Sequence, residues 1–188
     1  MLHMKKYINY IVAFVVVALL AIFYYFIVTE NEKMKVAKAK QSEGTEIAGK
    51  IVEDILCEID EENNMKLSEL VKDRPKLIFR FSNTHCSSCY ERQIDKINEI
   101  FKHSDDIVIL CSYTNRGFIL FKSRNRTKVP VYRIPEEEIK WDVNKPFYFL
   151  LNKDMSVSNV YIPNINSQQE QQKTTQYLIK MRNVINAE

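Results

Sequence analysis

The 188 residues include only four cysteines, at positions 57, 86, 89 and 111. They are too few and too unevenly spaced to form the disulfide framework of a small secreted domain. A large excess of one charge is also missing. Residues 34–188 carry 24 basic and 22 acidic side chains, so no nucleic-acid footprint dominates and no nucleic-acid partner is expected. There is no internal repeat, and the Gln-rich patch at 168–172 is too short to count as low complexity. One absence is local. Residues 8–28 (INYIVAFVVVALLAIFYYFIV) contain no charge at all, and at 1.5 Å per residue such a run crosses a hydrocarbon core of about 30 Å.

A cleavable signal peptide has a shorter apolar region followed at once by a small-x-small site. Here the run ends in Thr29-Glu30-Asn31-Glu32, with no such site and no lipidation cysteine. The expectation is an uncleaved transmembrane anchor over 8–28 that contacts membrane lipid, after a short tail over 1–7. Lys5 and Lys6 precede the span, while Lys33, Lys35, Lys38 and Lys40 follow it. Counting basic residues therefore does not set the orientation. A long following domain translocates largely regardless of charge, so the expected topology is single-pass, with the domain on the extracytoplasmic (periplasmic) side. Residues 29–46 read as a charged juxtamembrane spacer and 47–188 as one compact domain, long enough to bury a core.

Within that domain, Ile47, Ile51, Ile55 and Ile59, with Ala48, Val52 and Leu56, recur at helical spacing, with Cys57 at the edge of the stripe. Asp60 to Asn64 (DEENN) is a turn signal, and Leu67, Leu70 and Val71 predict a short helix before Pro75. Leu77 to Ser82 (LIFRFS) is strand-like. Tyr90, Ile94, Ile97 and Phe101, with Ile100 beside them, predict an amphipathic helix. Ile107 to Tyr113 fits a buried strand. Asn115 to Ser123 reads as a short helix, although its FILF run fits either state. Val129 to Ile134 is a short strand. Phe147–Leu151 and Val157–Tyr161 flank Asn152-Lys153-Asp154 as a hairpin. Tyr177, Leu178, Met181, Val184 and Ile185 predict a final helix, with Ser167 and Glu170 as its capping box. Strand–helix–strand units of this length predict an α/β fold, a sheet with helices on its faces.

The chemistry centres on FRFSNTHCSSCYERQ, residues 79–93, where Cys86 and Cys89 stand three positions apart between a strand and a helix. The thiolate is the reactive form, and a free cysteine is only about 3% ionised at pH 7. A sulfur at a helix N-terminus meets unpaired N–H groups and the positive dipole end. Lowering its pKa to about 7 is a shift worth roughly 2 kcal/mol. Cys89, one turn on, would lie beneath Cys86, less exposed and within disulfide reach. In thiol–disulfide exchange Cys86 would attack and Cys89 resolve the mixed disulfide. Two other readings stand beside this one: a pair of buried structural thiols, or a metal site. Zinc needs four ligands, and His85, Cys86 and Cys89 supply at most three locally. Copper(I) can manage with two thiolates. Tyr90 follows Cys89, so the C-x-x-C-H haem pattern is absent, and no cofactor is expected.

On the residues LIFRFSNTHCSSCYERQI, IVILCSY and KPFYFLLNKDMSV, positions 65–161 resemble the thioredoxin-like superfamily, most of all its membrane-tethered TlpA/ResA-type branch. The resemblance implies a thioredoxin-like fold, a mixed sheet flanked by helices. It also implies disulfide exchange with thiol- or disulfide-bearing client proteins outside the cytoplasm, served by a separate electron donor or acceptor. It further implies that Pro146 is a cis proline facing the cysteine pair. Three departures from the family pattern stand out: His85 in place of an aromatic residue, Ser87-Ser88 in place of a dipeptide with Pro or Gly, and Arg80 in place of a buried acid. A peroxiredoxin pattern, P-x-x-x-T-x-x-C, is not met ahead of Cys86.

Near the pair, His85 offers thiolate stabilisation or a proton shuttle, or is simply an exposed loop imidazole. If the fold holds, Lys145 would lie near Cys86 and favour its thiolate, unless it points to water. Cys57 and Cys111 read as inert core thiols. Lys122, Arg124, Arg126 and Lys128 form a basic loop that reads either as solvated or as a contact for anionic lipid or a client. Trp141, the only tryptophan, reads as packing. Besides a thiol–disulfide oxidoreductase, the domain could be a binding module that holds a peptide or copper(I) without turnover.

Overall fold

A computed structural model describes residues 15–32, 34–35, 46–59, 63–125, 127–135, 139, 143–164 and 168–187. The tail 1–7, the first residues of the expected span, most of the spacer, the turn at Asp60–Glu62, Arg126, Trp141 and the capping residue Ser167 lie outside them. The chain divides into two compact units, residues 1–43 and 44–188. In the first, helix α1 (Val15–Glu32) is long and apolar enough to cross a membrane. Thr29 Oγ1 donates to the carbonyls of Tyr25 at 3.0 Å and Phe26 at 2.9 Å, which keeps this polar group within the helix.

The second unit is built on β1 (Leu56–Glu58), β2 (Asn64–Lys66), α2 (Leu67–Leu70), β3 (Lys76–Ser82), α3 (Ser87–Phe101), β4 (Ile107–Ser112), α4 (Asn115–Arg124), β5 (Val131–Arg133), β6 (Phe147–Leu151), β7 (Val157–Tyr161) and α5 (Gln168–Asn186). The strands form one seven-stranded sheet in the order β2-β1-β5-β4-β3-β6-β7. β3, β4 and β5 are parallel neighbours, and the other pairings are antiparallel. Every residue of β3 and β4 is buried, as an apolar run covered on both faces requires.

Side chains alternate across the pleat. Leu77, Phe79 and Phe81 of β3 join Ile107, Ile109 and Cys111 of β4 on one face, against Ile94, Ile97 and Phe101 of α3, Phe118 and Phe121 of α4, and Leu178 and Met181 of α5. Ile78, Val108, Leu110, Phe147 and Phe149 line the other face, packed on Ile47, Val52, Ile55, Leu67 and Val71. Both crossover helices, α3 and α4, thus cover the same face. The carboxyl ends of β3, β4 and β5 share one edge, and the cysteine loop leaves from it.

The helix expected over 47–59 does not form. One turn at Glu46–Ile47 ends at Gly49, whose φ of +83° lies in the region that favours glycine. The chain then runs extended beside β7. Gly49 N–H donates to Val157 O at 2.8 Å, Val157 N–H to Lys50 O at 2.9 Å and Val52 N–H to Met155 O at 3.0 Å. The β-branched run suits extended backbone. It buries Val52, Ile55 and Cys57 but leaves Ile51 exposed, whereas a helical stripe would have buried Ile51 with its neighbours. The short helix at 67, the CxxC helix, the two central strands, α4, the β6–β7 hairpin and the final helix all form as expected.

Ile97 is fully buried where α3 meets β3 and β4. Ile97→Ala should lower stability by about 2–5 kcal/mol, since truncation removes buried methyl groups and leaves a cavity. Urea unfolding of the detergent-solubilised chain, followed by circular dichroism, reads the loss.

Candidate active site

β3 ends at Ser82, and a short loop turns the chain into α3. Asn83 N–H donates to Ser112 O at 3.0 Å and His85 N–H to Ser82 O at 3.1 Å, which ties the loop to both central strands. Cys86 is the N-cap of α3, with φ −56° and ψ 120°. Its carbonyl accepts from Cys89 N–H at 3.0 Å and from Tyr90 N–H at 3.3 Å. The two sulfurs therefore share the first helical turn, where amide donors lack intrahelical partners.

Their surroundings differ. Cys86 is exposed and Cys89 partly buried, and both are free thiols. The Cys86 thiol is held below its ordinary pKa, first by a hydrogen bond from Cys89 and then by one from Ser88, whose Oγ lies 3.1 Å from Cys86 Sγ. The backbone amides of Cys89 and Ser88 act in the same direction. Cys89 is pushed up to about 11, first by burial, then by the hydrogen bond to Cys86 and by the charge of Cys86; Arg92, one turn on, opposes this. The outer sulfur therefore loses its proton before the inner one. The sequence marked Ser88 only as part of a departure from the family dipeptide, not as a partner of Cys86, and Arg92 was not singled out. Their signal was positional: a hydroxyl inside the CxxC turn, and a cation at i+3 from Cys89 on the same helix.

His85 is buried, not an exposed loop imidazole. Its Nδ1 accepts from Ser82 N–H at 3.2 Å, which assigns the ring proton of a neutral imidazole to Nε2. The loop curls back on the end of β3, and this bond closes the curl.

Pro146 is buried. It stands one residue before Phe147, which pairs with Arg80, so it lies at the edge of the sheet from which the cysteine loop leaves. The cis bond expected there is not found: the Lys145–Pro146 peptide is trans, as are all peptide bonds among the described residues. Trans is the form an X–Pro bond favours by about 0.5–1 kcal/mol when its surroundings do not select the other. Lys145 has an exposed side chain, and its N–H donates to Val143 O at 2.7 Å.

Arg80 is fully buried on β3, with Nη1 donating to Phe81 O at 2.7 Å. Its register partners are Leu110 and Phe147. Cys111 is buried and pushed up to about 12 by burial, against the nearby charges of Arg80 and Arg133, and its Sγ lies 3.5 Å from Tyr132 O. Cys57 is buried as well. Neither thiol is placed to react. Among the described residues no three His, Cys, Asp or Glu side chains gather as a metal site.

Aromatic rings secure the first turn of α3 from below. Tyr90 stacks on Phe81 at 4.4 Å between centroids, and Tyr113 O–H donates to Tyr90 Oη at 3.0 Å. Tyr113 also stacks on Phe121 of α4 at 5.6 Å. β3, α3, β4 and α4 are thereby joined immediately behind Cys89.

Solved structures share this fold. The thioredoxin domain of a thiol-disulfide oxidoreductase from Bacteroides vulgatus matches with a TM-score of 0.56 at 9% identity, covering 73% of this chain and 97% of that one. A thiol:disulfide interchange protein from Bacteroides sp. matches at 0.53 with 10% identity, over 74% and 90%. A peroxidoxin from Mycobacterium tuberculosis matches at 0.51 with 14% identity, over 71% and 96%. The fold is thioredoxin-like. No protein-family model matches the chain, and no curated protein does. What these structures share with the chain is architecture, and a thioredoxin-like fold carries both disulfide and peroxide chemistry, so activity must be argued from the residues at the site.

Cys89→Ala removes the first influence that lowers the Cys86 pKa, and Ser88→Ala the second. Both should raise the pH midpoint of Cys86 ionisation, Cys89→Ala by more. A pH titration of thiolate absorbance in the ultraviolet checks the direction and the order.

Proposed function

We propose that this chain is a membrane-anchored thiol–disulfide oxidoreductase that exchanges disulfides with extracytoplasmic client proteins. The observation that carries the reading is the asymmetry of the cysteine pair: an exposed sulfur biased toward thiolate and an inner sulfur biased toward thiol, one helical turn apart. The apolar helix α1 supports the anchor. The tethered TlpA/ResA-type branch is the resemblance that fits both features. The organisation proposed is tail 1–7, anchor 8–28, spacer 29–46 and catalytic domain 47–188.

In the reducing direction, the Cys86 thiolate attacks one sulfur of a client disulfide. The S–S bond breaks, the other client sulfur leaves as a thiolate, and a mixed disulfide joins Cys86 to the client. Cys86 then no longer carries the charge and hydrogen bond that help to hold the proton on Cys89. Only burial still raises that pKa, so the inner thiol loses its proton more readily at the step where it must act. Cys89 attacks the Cys86 sulfur, the second client thiolate is released, and the pair ends as a disulfide. The client gains two electrons and the pair loses two. A dithiol donor resets the pair, and with a disulfide acceptor the same steps run in reverse. In this reading Pro146 and His85 shape the surface around Cys86, and Lys145 adds positive charge to it.

The test is a trapping experiment. Cys89→Ser should accumulate mixed disulfides between Cys86 and client proteins, visible as reductant-sensitive bands on non-reducing gels and absent in Cys86→Ser. Equal trapping by both variants, or none by Cys89→Ser, would overturn the reading.

A further inference from the structure

Between α4 and the β1–β2 hairpin lies a groove of about 580 Å³, lined among others by Glu58, Asn115, Phe118, Ile119, Lys122 and Arg133. The thiol chemistry does not use it. Its floor is built. Arg133 Nε donates to Glu58 Oε2 at 2.8 Å, and its Nη2 is paired with the same oxygen. Glu58 and Arg133 are register partners on β1 and β5. Arg133 Nη1 donates to Tyr113 O at 3.1 Å. Lys122 Nζ sits 5.3 Å from the centroid of the Phe118 ring and donates one N–H to Ile59 O at 2.9 Å. Ile119 is 52% exposed, and its neighbour Leu120 44%.

The groove opens on the edge of the sheet that carries the cysteines. Arg133 ends β5 and Asn115 begins α4, both at the carboxyl ends of parallel strands. The lining strands β5 and β1 lie two and three strand spacings from β3, about 10–14 Å, which three to five extended residues span. The Tyr113 that Arg133 holds by its carbonyl is the same residue whose hydroxyl donates to Tyr90, next to Cys89. Groove and cysteine turn are thus linked through Tyr113.

Its chemistry selects an occupant. Residues 113–135 contain Arg116, Lys122, Arg124, Arg126, Lys128 and Arg133 and no acidic residue. The carboxylate among the lining residues, Glu58, is already held by Arg133, so the lining carries one excess positive charge beside exposed Ile119. A flat bilayer surface would not enter a recess, whereas a single extended chain can.

We propose that this groove holds a segment of the client chain that presents an apolar side chain next to a carboxylate, a few residues from the client's reacting cysteine. The apolar side chain packs on Ile119 and Phe118, and the carboxylate accepts from Lys122. The proposal rests on the thiol-exchange reading and adds recognition to it.

Binding can be read without exchange. The full chain carrying Cys86→Ser, reconstituted in phosphatidylcholine discs, is titrated into two short fluorescein-labelled peptides, and anisotropy is followed. One peptide contains Leu-Asp-Leu-Glu and the other Leu-Lys-Leu-Lys. The acidic peptide should bind about fivefold tighter, the upper end for an exposed ion pair. Lys122→Glu should reverse the preference, which a misfolded variant cannot do, and Ile119→Ser should weaken the acidic peptide several-fold. Equal affinity for the two peptides, or a preference that Lys122→Glu leaves unchanged, would overturn the proposal. So would undetectable peptide binding with α4 amides that gain hydrogen-exchange protection when phosphatidylglycerol is added to the discs, since that assigns the surface to lipid. Failure of the exchange reading appears separately, as the absence of trapping by Cys89→Ser.

Discussion

A helix that starts where a buried parallel strand ends presents its unpaired amides at the edge of the sheet, and in this chain that first turn carries two sulfurs. Their shared turn sets the spacing, and their unequal exposure sets the chemistry. Cys86 lies outermost, where neighbouring donors favour its anion. Cys89 lies inward, where desolvation penalises the charge it would need to react. Neither property belongs to cysteine as such. Both arise because α3 is held end-on to the edge with one side of its first turn facing the interior.

The remaining fold keeps that turn in place. β3 and β4 are buried along their whole length, so the loop between β3 and α3 leaves from a rigid platform. The stack of Phe81, Tyr90, Tyr113 and Phe121 ties the turn to α4. Rings of this size each bury a large area and resist reorientation. His85 pins the loop from within. Exchange needs a sulfur that is reachable yet positioned, and positioning of this kind comes from packing behind the site. The α4 groove extends the same platform sideways.

Local signals in the sequence were readable where one constraint dominated. Tyr90, Ile94, Ile97 and Phe101 fall on one face of a helix and nothing nearby competes, so α3 forms where its spacing puts it. The stretch 47–59 shows the opposite case. Its isoleucines satisfy a helical period, but Gly49 releases the chain, and the open edge of β7 offers backbone partners worth more than an isolated helix. The β1–β2 hairpin was unreadable for the same reason: three-residue strands carry little periodicity, and only pairing defines them. Pro146 could be placed at its strand from the resemblance, yet its trans bond was not the expected one.

By itself the sequence determined the order of strands and helices from α2 onward, the apolar span and the seating of a cysteine pair at a helix start. These rest on period and spacing, which act between residues near in the chain. Tertiary structure alone decided that His85 faces inward, that Ser88 reaches Cys86, and that Glu58 meets Arg133 from 75 residues away to floor a groove. Those outcomes depend on which distant surfaces exclude water around a given atom, and no local pattern encodes that.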